Sequence, residues 1–411
     1  MPMPAPTAGF DPFAPDVVAD PYPHYARLRD EAPVCFIESQ DMWMVTRHVD
    51  VAAVLHDPAT FSSAEGMGAL MSGGVGRNRI DARGLLGLDL REMRVLIATD
   101  PPDHTRLRRL LSRAFTPRAI TELEPHLREI CEDLVHDLVV ATRAGHGDLV
   151  AQVAFPFPVI VIAELLGIPP ERRDDFKRWS DALVGALSGD WDPLEAQQTL
   201  GEMFMYLSEV VERRRHEPDH DLISRLVGGV DPDDPDALSF VEITLFALLL
   251  LVAGNETTTN LIGNGAAAFA AHPDQAQLLQ ERPQLLPAAI EEVLRWDAPV
   301  QALFRSTTRP VTLSGVDLPA GAMVLVSFAA ANRDSRHFAD ADRFDIERHN
   351  TDHLALGHGI HHCLGAALAR LEARLVGETL MARGIQLIPG GAAERIDSII
   401  LRGFASYPVT A

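Results

Sequence analysis

The chain has 411 residues, of which 47% are hydrophobic and 6% aromatic, and this composition is typical of a globular protein with a large core. Its formal net charge of −22 argues against nucleic acid as a partner, because phosphate binding needs a basic surface. Three cysteines without paired spacing and a proline-rich start argue against disulfides and a signal peptide, so we expect a cytoplasmic protein.

Helical periodicity dominates the chain. In order, it predicts helices over residues 106–115, 125–144, 159–166, 196–215 and 364–383. Strand-like stretches are short and lie at residues 42–46, 311–313, 323–328 and 385–388. Because these stretches come from both ends of the chain, we expect one domain over residues 1–411 that is mainly α with a minor β-sheet region.

The longest predicted helix covers residues 239–272 and begins with a capping box formed by Ser239 and Glu242. Its centre, residues 245–253, is apolar on every face and so belongs in the core. This run has about half of the ~20 apolar residues that a membrane span needs, and we expect no membrane contact. Residues 255–258 are polar, and a buried helix that turns polar in mid-course needs a functional reason.

The most informative segment covers residues 356–365 and reads Leu-Gly-His-Gly-Ile-His-His-Cys-Leu-Gly. Cys363 lies just before a predicted helix, where free N–H groups and the helix dipole favour a thiolate. The glycines around it let the backbone coil tightly and let a flat cofactor lie close. A thiolate in such a setting is the haem ligand that favours O–O cleavage.

Zinc and an inert buried cysteine are the alternatives for this segment. His361, His362 and Cys363 have zinc-binding side chains, but adjacent positions on one segment rarely aim at a common tetrahedral centre. Cys35 and Cys131 show no CxxC-like spacing that could complete such a site. These observations favour haem over zinc.

The decapeptide resembles the haem-binding signature of the cytochromes P450, with Leu356 in place of the usual aromatic residue. Residues 253–258, Ala-Gly-Asn-Glu-Thr-Thr, are similar to the oxygen-binding motif of that family. Glu292 and Arg295 match its Glu-x-x-Arg motif. Since the motifs also follow in the right order, the chain resembles a soluble bacterial member over essentially its whole length, which implies the cytochrome P450 fold.

The resemblance implies a b-type haem (heme b, iron protoporphyrin IX) whose iron is bound by Cys363. The two haem propionates would be neutralised by arginines and histidines, of which arginine suits a carboxylate best. These residues are His104, Arg108, Arg305 and His361.

The same resemblance gives Glu292 and Arg295 a structural role, as a buried pair that buttresses the cysteine loop with Arg348 as a third member. Ala341 stands where the family has a proline. Taken alone, an i, i+3 pair of this kind is more often solvated and contributes little to stability.

On the oxygen side, Ala253 and Gly254 would let haem and O2 approach the helix. Thr257 would hydrogen-bond the activated oxygen, and Glu256 would relay protons towards it from solvent. The alternative is a cluster of polar residues that only kinks or caps the helix.

The activity implied is monooxygenation, in which one atom of O2 hydroxylates or epoxidises a hydrophobic small molecule and the other leaves as water. Electrons would come from NAD(P)H through a ferredoxin reductase and a ferredoxin, and we expect a monomer. A peroxide-driven peroxygenase would not need Glu256 and Thr257. A non-catalytic haem protein would need neither this relay nor a substrate pocket.

Several stretches are expected by position to line the substrate pocket. They are residues 64–96, 182–191, 245–253, 300–303 and 399–401. Most of them are aliphatic, with few aromatic residues. This favours a bulky apolar substrate, such as a steroid, a terpenoid or a macrolide-like compound, over a small charged aromatic acid.

The predicted helix at residues 106–115 also carries Arg106, Arg109 and Arg113 along one face. The stripe is either an ordinary solvated basic face or a docking patch for an acidic ferredoxin. On a chain of net charge −22, concentrated arginines favour the docking patch.

Overall fold

In a computed structural model of the chain, the structure describes residues 9–71, 94–112, 115–172, 175–176, 178–179, 182, 193–228, 236–348, 352–384 and 388–410. The chain divides into two compact units. The first comprises Met1–Phe61, Leu123–Phe157 and Thr257–Ala411, and the second comprises Ser62–Glu122 and Pro158–Glu256. The single domain expected over residues 1–411 stays a prediction.

Helices dominate the structure, as the periodicity predicts. They are α1 (Pro15–Ala19), α2 (Tyr22–Glu31), α3 (His48–His56), α4 (Ser63–Met71), α5 (Asp103–Leu111), α6 (Pro117–Arg143), α7 (Pro156–Leu165), α8 (Pro193–His216), α9 (Leu222–Gly228), α10 (Phe240–Ala271), α11 (Pro273–Glu281), α12 (Leu286–Trp296), α13 (Phe328–Asn332) and α14 (Ala366–Ala382). The strands are short. They are β1 (Val34–Ile37), β2 (Met42–Val45), β3 (Phe61–Ser62), β4 (Ala302–Thr307), β5 (Val311–Leu313), β6 (Val316–Leu318), β7 (Met323–Ser327), β8 (Ile388–Pro389), β9 (Glu394–Arg395), β10 (Phe404–Ser406) and β11 (Val409–Thr410).

The main sheet has five strands in the order β1-β2-β7-β4-β3. Strand β2 runs parallel to β7, and β4 pairs antiparallel with β7 on its other side. Early and late parts of the chain therefore share one sheet, which confirms the prediction that both ends of the sequence feed it. Of the strand predicted at residues 385–388, residues 385–387 lie outside the described residues, and Ile388 belongs to β8, which pairs with β11.

The capping box at the start of α10 forms as predicted. The Ser239 backbone N–H donates to Glu242 Oε2 at 2.8 Å, and the Glu242 N–H donates to Ser239 Oγ at 3.2 Å. These reciprocal bonds satisfy two N–H groups that lack partners within the helix. The observed ends of α10 match the predicted ends closely, because local chemistry marks both of them.

Helix α6 begins at Pro117, well before the predicted start at Pro125, which lies inside the helix. An interior proline removes one backbone hydrogen bond and usually ends a helix. Here the apolar stripe continues across the proline, and its members are buried. They are Ile120, Leu127, Cys131, Val135 and Leu138. Burial of this stripe outweighs the lost bond, so the predicted boundary is wrong.

Helix α10 is apolar and long enough to cross a membrane, by length and composition, although its central apolar run alone is too short. Some of its polar side chains are hydrogen-bonded to other segments. Asn264 Nδ2 donates to the carbonyls of Asp297 and Arg402, both at 2.9 Å. Thr259 Oγ1 donates to the Ala154 carbonyl at 2.9 Å. Such bonds are typical of a helix in the core of a protein.

Candidate active site

The cysteine loop, residues 354–365, is a tight backbone structure that leads into α14. The Cys363 N–H donates to the Leu356 carbonyl at 2.8 Å. Gly359 has a φ of +66°, and a Cβ atom there would lie 2.6 Å from the carbonyl oxygen of Leu55. Both the backbone conformation and the contact therefore require glycine at this position. Leu356 packs, half-buried, against the apolar cluster around α12.

Glu292 and Arg295 on α12 form the predicted buried pair. Arg295 donates from Nε and Nη2 to the two carboxylate oxygens at 2.7 and 2.8 Å. The arginine side chain is 0% exposed and the glutamate side chain 2%. Arg295 Nη1 donates to the Asn332 carbonyl at 2.9 Å, while Asn332 Oδ1 accepts the Leu354 N–H at 2.6 Å. Through Asn332 the pair is linked to the start of the cysteine loop.

Arg348 completes this network, as predicted. Its Nε lies 3.2 Å from the Glu292 carboxylate, and its Nη2 donates to the carbonyls of Asp340 and Arg343 at 3.0 and 3.1 Å. Ala341 is buried, and its carbonyl accepts a hydrogen bond from Arg295 at 2.7 Å. The network therefore forms without the proline that the motif usually has at this position.

A second ionic group, which the sequence reasoning missed, involves the neighbouring Glu291. Arg370 on α14 donates to its two carboxylate oxygens at 2.6 and 2.8 Å, and His353 Nε2 lies 3.0 Å from Oε2. Burial alone would raise the pKa of Glu291, but these hydrogen bonds and the charges of Arg370 and His353 lower it to about 2. Glu291 is therefore ionised at neutral pH.

Arg370 is also electrostatically coupled to Cys363. Its pKa is raised first by the hydrogen bond to Glu291, and then by the negative charges of Glu291 and of the Cys363 thiolate. The guanidinium thus favours the charged form of the cysteine. The available sequence signal was a lone arginine in the first turns of the apolar helix that Cys363 precedes.

The first unit also carries three further predicted site residues. Arg305 is buried on β4 and donates from Nη1 to the Phe304 carbonyl at 2.8 Å. His361 ends the 3-10 turn Gly359–His361 in the cysteine loop. Thr257 lies half-buried on α10.

The second unit carries the remaining predicted residues. His104 is buried and Arg108 half-buried on α5, one turn apart, so they share the predicted face. On α10, Ala253 is exposed, Gly254 is half-buried and Glu256 is buried.

Gly254 has a packing reason of its own. A Cβ atom at this position would lie 2.5 Å from Cδ1 of Ile162 on α7. That distance is shorter than ordinary van der Waals contact, so the close approach of α7 to α10 depends on glycine. The sequence interpretation explained Gly254 by the approach of oxygen, and the structure adds this independent requirement.

The predicted docking stripe is wrong for Arg106. Its guanidinium forms an ion pair with Glu242 and donates to the carbonyls of Asp236 and Ala237, both at 3.2 Å, and its side chain is only 16% exposed. Arg106 therefore fastens α5 to the start of α10. Arg109 is exposed, 3.6 Å from Asp236, and Arg113 lies outside the described residues.

The chemistry of these residues fits a haem. A cysteine coupled to an arginine at the start of a helix suits iron, and the arginines and histidines of the predicted set suit two propionates. A cysteine loop held by buried ion pairs, within a mainly helical fold that has a small mixed sheet, is typical of haem-thiolate oxygenases.

The Cytochrome P450 family model matches residues 77–383, and the chain belongs to this family. Vitamin D(3) 25-hydroxylase of Pseudonocardia autotrophica is 42% identical over 397 residues, which cover 95% of this chain and 94% of that protein. Cytochrome P450 monooxygenase PikC of Streptomyces venezuelae is 40% identical over 401 residues, 96% of this chain and 92% of that protein.

The fold is also shared with a solved structure, that of CYP109E1 from Bacillus megaterium in complex with corticosterone. The two structures agree with a TM-score of 0.81 at 33% identity, over 95% of this chain and 98% of that chain. The protein is therefore a cytochrome P450 monooxygenase, and haem (iron protoporphyrin IX) is its cofactor.

Proposed function

We propose that this monooxygenase hydroxylates or epoxidises a bulky hydrophobic molecule with a steroid, terpenoid or macrolide-like skeleton. The observation that carries the proposal is the 42% identity, over almost the whole chain, to a hydroxylase named for vitamin D(3). Electrons come from NAD(P)H through a ferredoxin reductase and a ferredoxin. The enzyme acts as a monomer in the cytoplasm, without contact with a membrane or nucleic acid.

When bound, the haem supplies the redox-active iron at which O2 is reduced and the substrate is oxidised. Cys363 binds the iron as a thiolate, and Arg370 favours that charged form. The residues that neutralise the propionates are His104, Arg108, Arg305 and His361. The Glu292–Arg295 pair takes no part in the chemistry and holds the cysteine loop in place.

Glu256 and Thr257 deliver protons to the active site. Glu256 takes up a proton from solvent and passes it towards Thr257. The Thr257 hydroxyl group orients this proton towards the oxygen that is being activated. Glu256 is buried within a helix whose preceding run is apolar, so an acid at this position needs a role. A peroxygenase fed with hydrogen peroxide receives oxygen already protonated and has no use for this relay.

Two of the predicted pocket segments are mostly aliphatic and lie next to each other, which supports an apolar substrate. Val300 pairs with Leu401, and the Gln301 N–H donates to the Ile400 carbonyl at 2.7 Å. Residues 300–303 and 399–401 therefore lie side by side. Residues 72–93 and residues 183–191, which belong to two other predicted segments, lie outside the described residues.

The proposal is tested with purified holoenzyme, a bacterial ferredoxin, its reductase, NADPH and isotopically labelled O2. Vitamin D3, a monoterpene and a macrolide serve as substrates, and a benzoate as the charged aromatic control. We expect one labelled oxygen atom in the product of an apolar substrate and none in the control. Equal turnover with hydrogen peroxide alone would favour a peroxygenase, and NADPH consumption without product from any substrate would contradict the substrate class.

The relay is tested with Thr257→Ala and the matched variant Thr257→Ser, which keeps the hydroxyl group. We expect Thr257→Ala to bind haem and substrate normally but to release much of its reducing power as hydrogen peroxide. Thr257→Ser should retain most of the coupling between NADPH oxidation and product. Full coupling in Thr257→Ala would contradict the relay.

A further inference from the structure

Glu372 is a carboxylic acid at a core position of α14, the helix that follows the cysteine loop. It is one turn from Leu368 and one turn from Leu375, both of which are buried, and is itself 1% exposed. Acidic side chains are almost never fully buried unless they are paired. Helical periodicity in the sequence already places this acid on the buried face.

Thr258 on α10 is the hydrogen-bond partner of Glu372, and it is the neighbour of Thr257. Within the described part of the chain, the second carboxyl oxygen, Oε2, has no hydrogen-bond partner. An ionised carboxylate needs several donors or a cation when it is buried, and the hydrogen bond found for Glu372 among the described residues is to one hydroxyl group. Burial accordingly raises the pKa of Glu372 to about 8, in spite of the Thr258 hydrogen bond, which lowers it.

Charged side chains on α14 form ion pairs with side chains on the neighbouring helices α12 and α6. Towards α12, Arg370 is paired with Glu291. Towards α6, two arginines and two glutamates form a closed group of ion pairs, namely Arg128, Arg374, Glu124 and Glu378. Cys131 of α6 faces Thr379 at 3.6 Å. On α10, Glu256 is two residues from Thr258 and so points to the opposite side of the helix. Glu372 is therefore held uncharged by burial.

We propose that Glu372 is a positioning residue that, as an uncharged acid, fixes the Thr258 turn of α10 and thereby the orientation of Thr257. Loss of its proton to solvent places a carboxylate in this core position, breaks the fixed geometry and uncouples electron transfer from product formation. The inference rests on the relay proposed above for Thr257. Glu372 itself transfers no proton to oxygen, because a neutral acid is sufficient to fix the Thr258 turn.

Glutamine and alanine variants of Glu372 distinguish this positioning role from a role that needs an ionisable group. Glu372→Gln keeps the shape and hydrogen bonding of the neutral acid but does not ionise, whereas Glu372→Ala removes the contact with Thr258. We expect the coupling of wild type to fall between about pH 7 and pH 9, across the pKa of Glu372. Glu372→Gln should stay coupled throughout, and Glu372→Ala should be uncoupled at every pH. Uncoupled turnover of Glu372→Gln at neutral pH would overturn the proposal.

A second measurement does not depend on turnover. Infrared spectroscopy of the haem-loaded protein in D2O should show the carbonyl stretch of a protonated carboxylic acid at neutral pH. This band should be lost on titration through about pH 8 and should be missing from Glu372→Gln. If Thr257→Ala is fully coupled, the relay fails and the positioning role with it, although the band is present. If Thr257→Ala is uncoupled but wild type lacks the band, the role of Glu372 alone is overturned.

Discussion

At the scale of single residues, the pair of Glu292 and Arg295 offers a direct test of buried charge. Glu292→Ala leaves the Arg295 guanidinium in the core without its carboxylate, and breaking such a pair costs about 3–5 kcal/mol. We expect little soluble holoprotein and a large fall in the denaturant midpoint of what remains. The matched control is Glu347→Ala, which removes an exposed ion pair with Arg282 and should cost at most about 1 kcal/mol. Equal losses in the two variants would contradict the structural role.

The charge of Arg370 should set the reduction potential of the haem. Arg370→Gln removes a cation beside Cys363 and leaves Glu291 less neutralised, and both changes favour the ferric state. The potential should fall by tens of millivolts, because one charge at ~10 Å contributes roughly 1 kcal/mol. Spectroelectrochemical titration measures this change. The control is Arg374→Gln on the same helix. A change in reduction potential of the same size in both variants would show that the interaction of Arg370 with Cys363 is not its cause.

The residue-scale predictions succeeded where a motif carried its own chemistry or the family resemblance supplied a distant partner, as for Arg348, and failed where neither did. The reciprocal bonds of Ser239 and Glu242 followed from local spacing. The i, i+3, i+7 spacing that contains Arg106 could not indicate that Glu242 covers this side chain. Likewise, the sequence reasoning did not single out Glu372, whose partner Thr258 lies on a different helix.

At the scale of elements, the contact of α7 with α10 predicts a compensating pair of substitutions. Gly254→Ala places a methyl group against Ile162 Cδ1, and such overpacking costs about 1–3 kcal/mol, partly offset by the ~1 kcal/mol that alanine gains in a helix. Ile162→Val removes the clashing atom. In that background Gly254→Ala should be neutral or stabilising, as measured by thermal unfolding in a double-mutant cycle. Additive effects would show that Gly254 is not needed for this packing.

Element boundaries were predictable to the extent that they depend on local signals. Proline and a capping box marked the ends of α10 within the sequence itself. The predicted start of α6 was wrong because Pro125 carries the usual signal of a first helical residue. The helix continues through this proline because its apolar side chains are buried in the fold. The apolar spacing already continues across Pro125 in the sequence, from Ile120 to Leu127, but only the fold shows that its burial outweighs the lost hydrogen bond.

At the scale of the whole molecule, the least local feature is the central sheet. Its β2 strand comes from residues 42–45, and its parallel neighbour β7 comes from residues 323–327. Short strands at the two ends of the sequence indicated a shared sheet, but their order and direction carry no sequence signal of their own. The resemblance to a family of known fold was what implied the arrangement.

Two carboxyl groups, the half-buried Glu291 and the buried Glu372, give the molecule opposite pH dependences. The pKa of Glu291 is lowered from 4.5 to about 2, so its stabilisation is complete above pH 4.5 and is lost as the pH falls towards 2. The pKa of Glu372 is raised from 4.5 to about 8, so the folded state holds this proton more tightly than the unfolded chain. Its contribution is complete below pH 4.5 and is lost as the pH rises through 8.

The melting temperature of the haem-loaded protein, followed against pH, should separate these two contributions. Relative to wild type, Glu291→Gln should be less stable at neutral pH, and the difference should shrink in acid. Glu372→Gln should be more stable than wild type above about pH 8, and this advantage should disappear towards pH 4.5. The full change is about 3–4 kcal/mol for Glu291 and about 5 kcal/mol for Glu372, since one pKa unit corresponds to about 1.4 kcal/mol. Both variants remove one ionisable acid from a chain of net charge −22, so a general relief of repulsion would move both curves in the same direction. Opposite shifts in opposite pH ranges can come only from the two local environments.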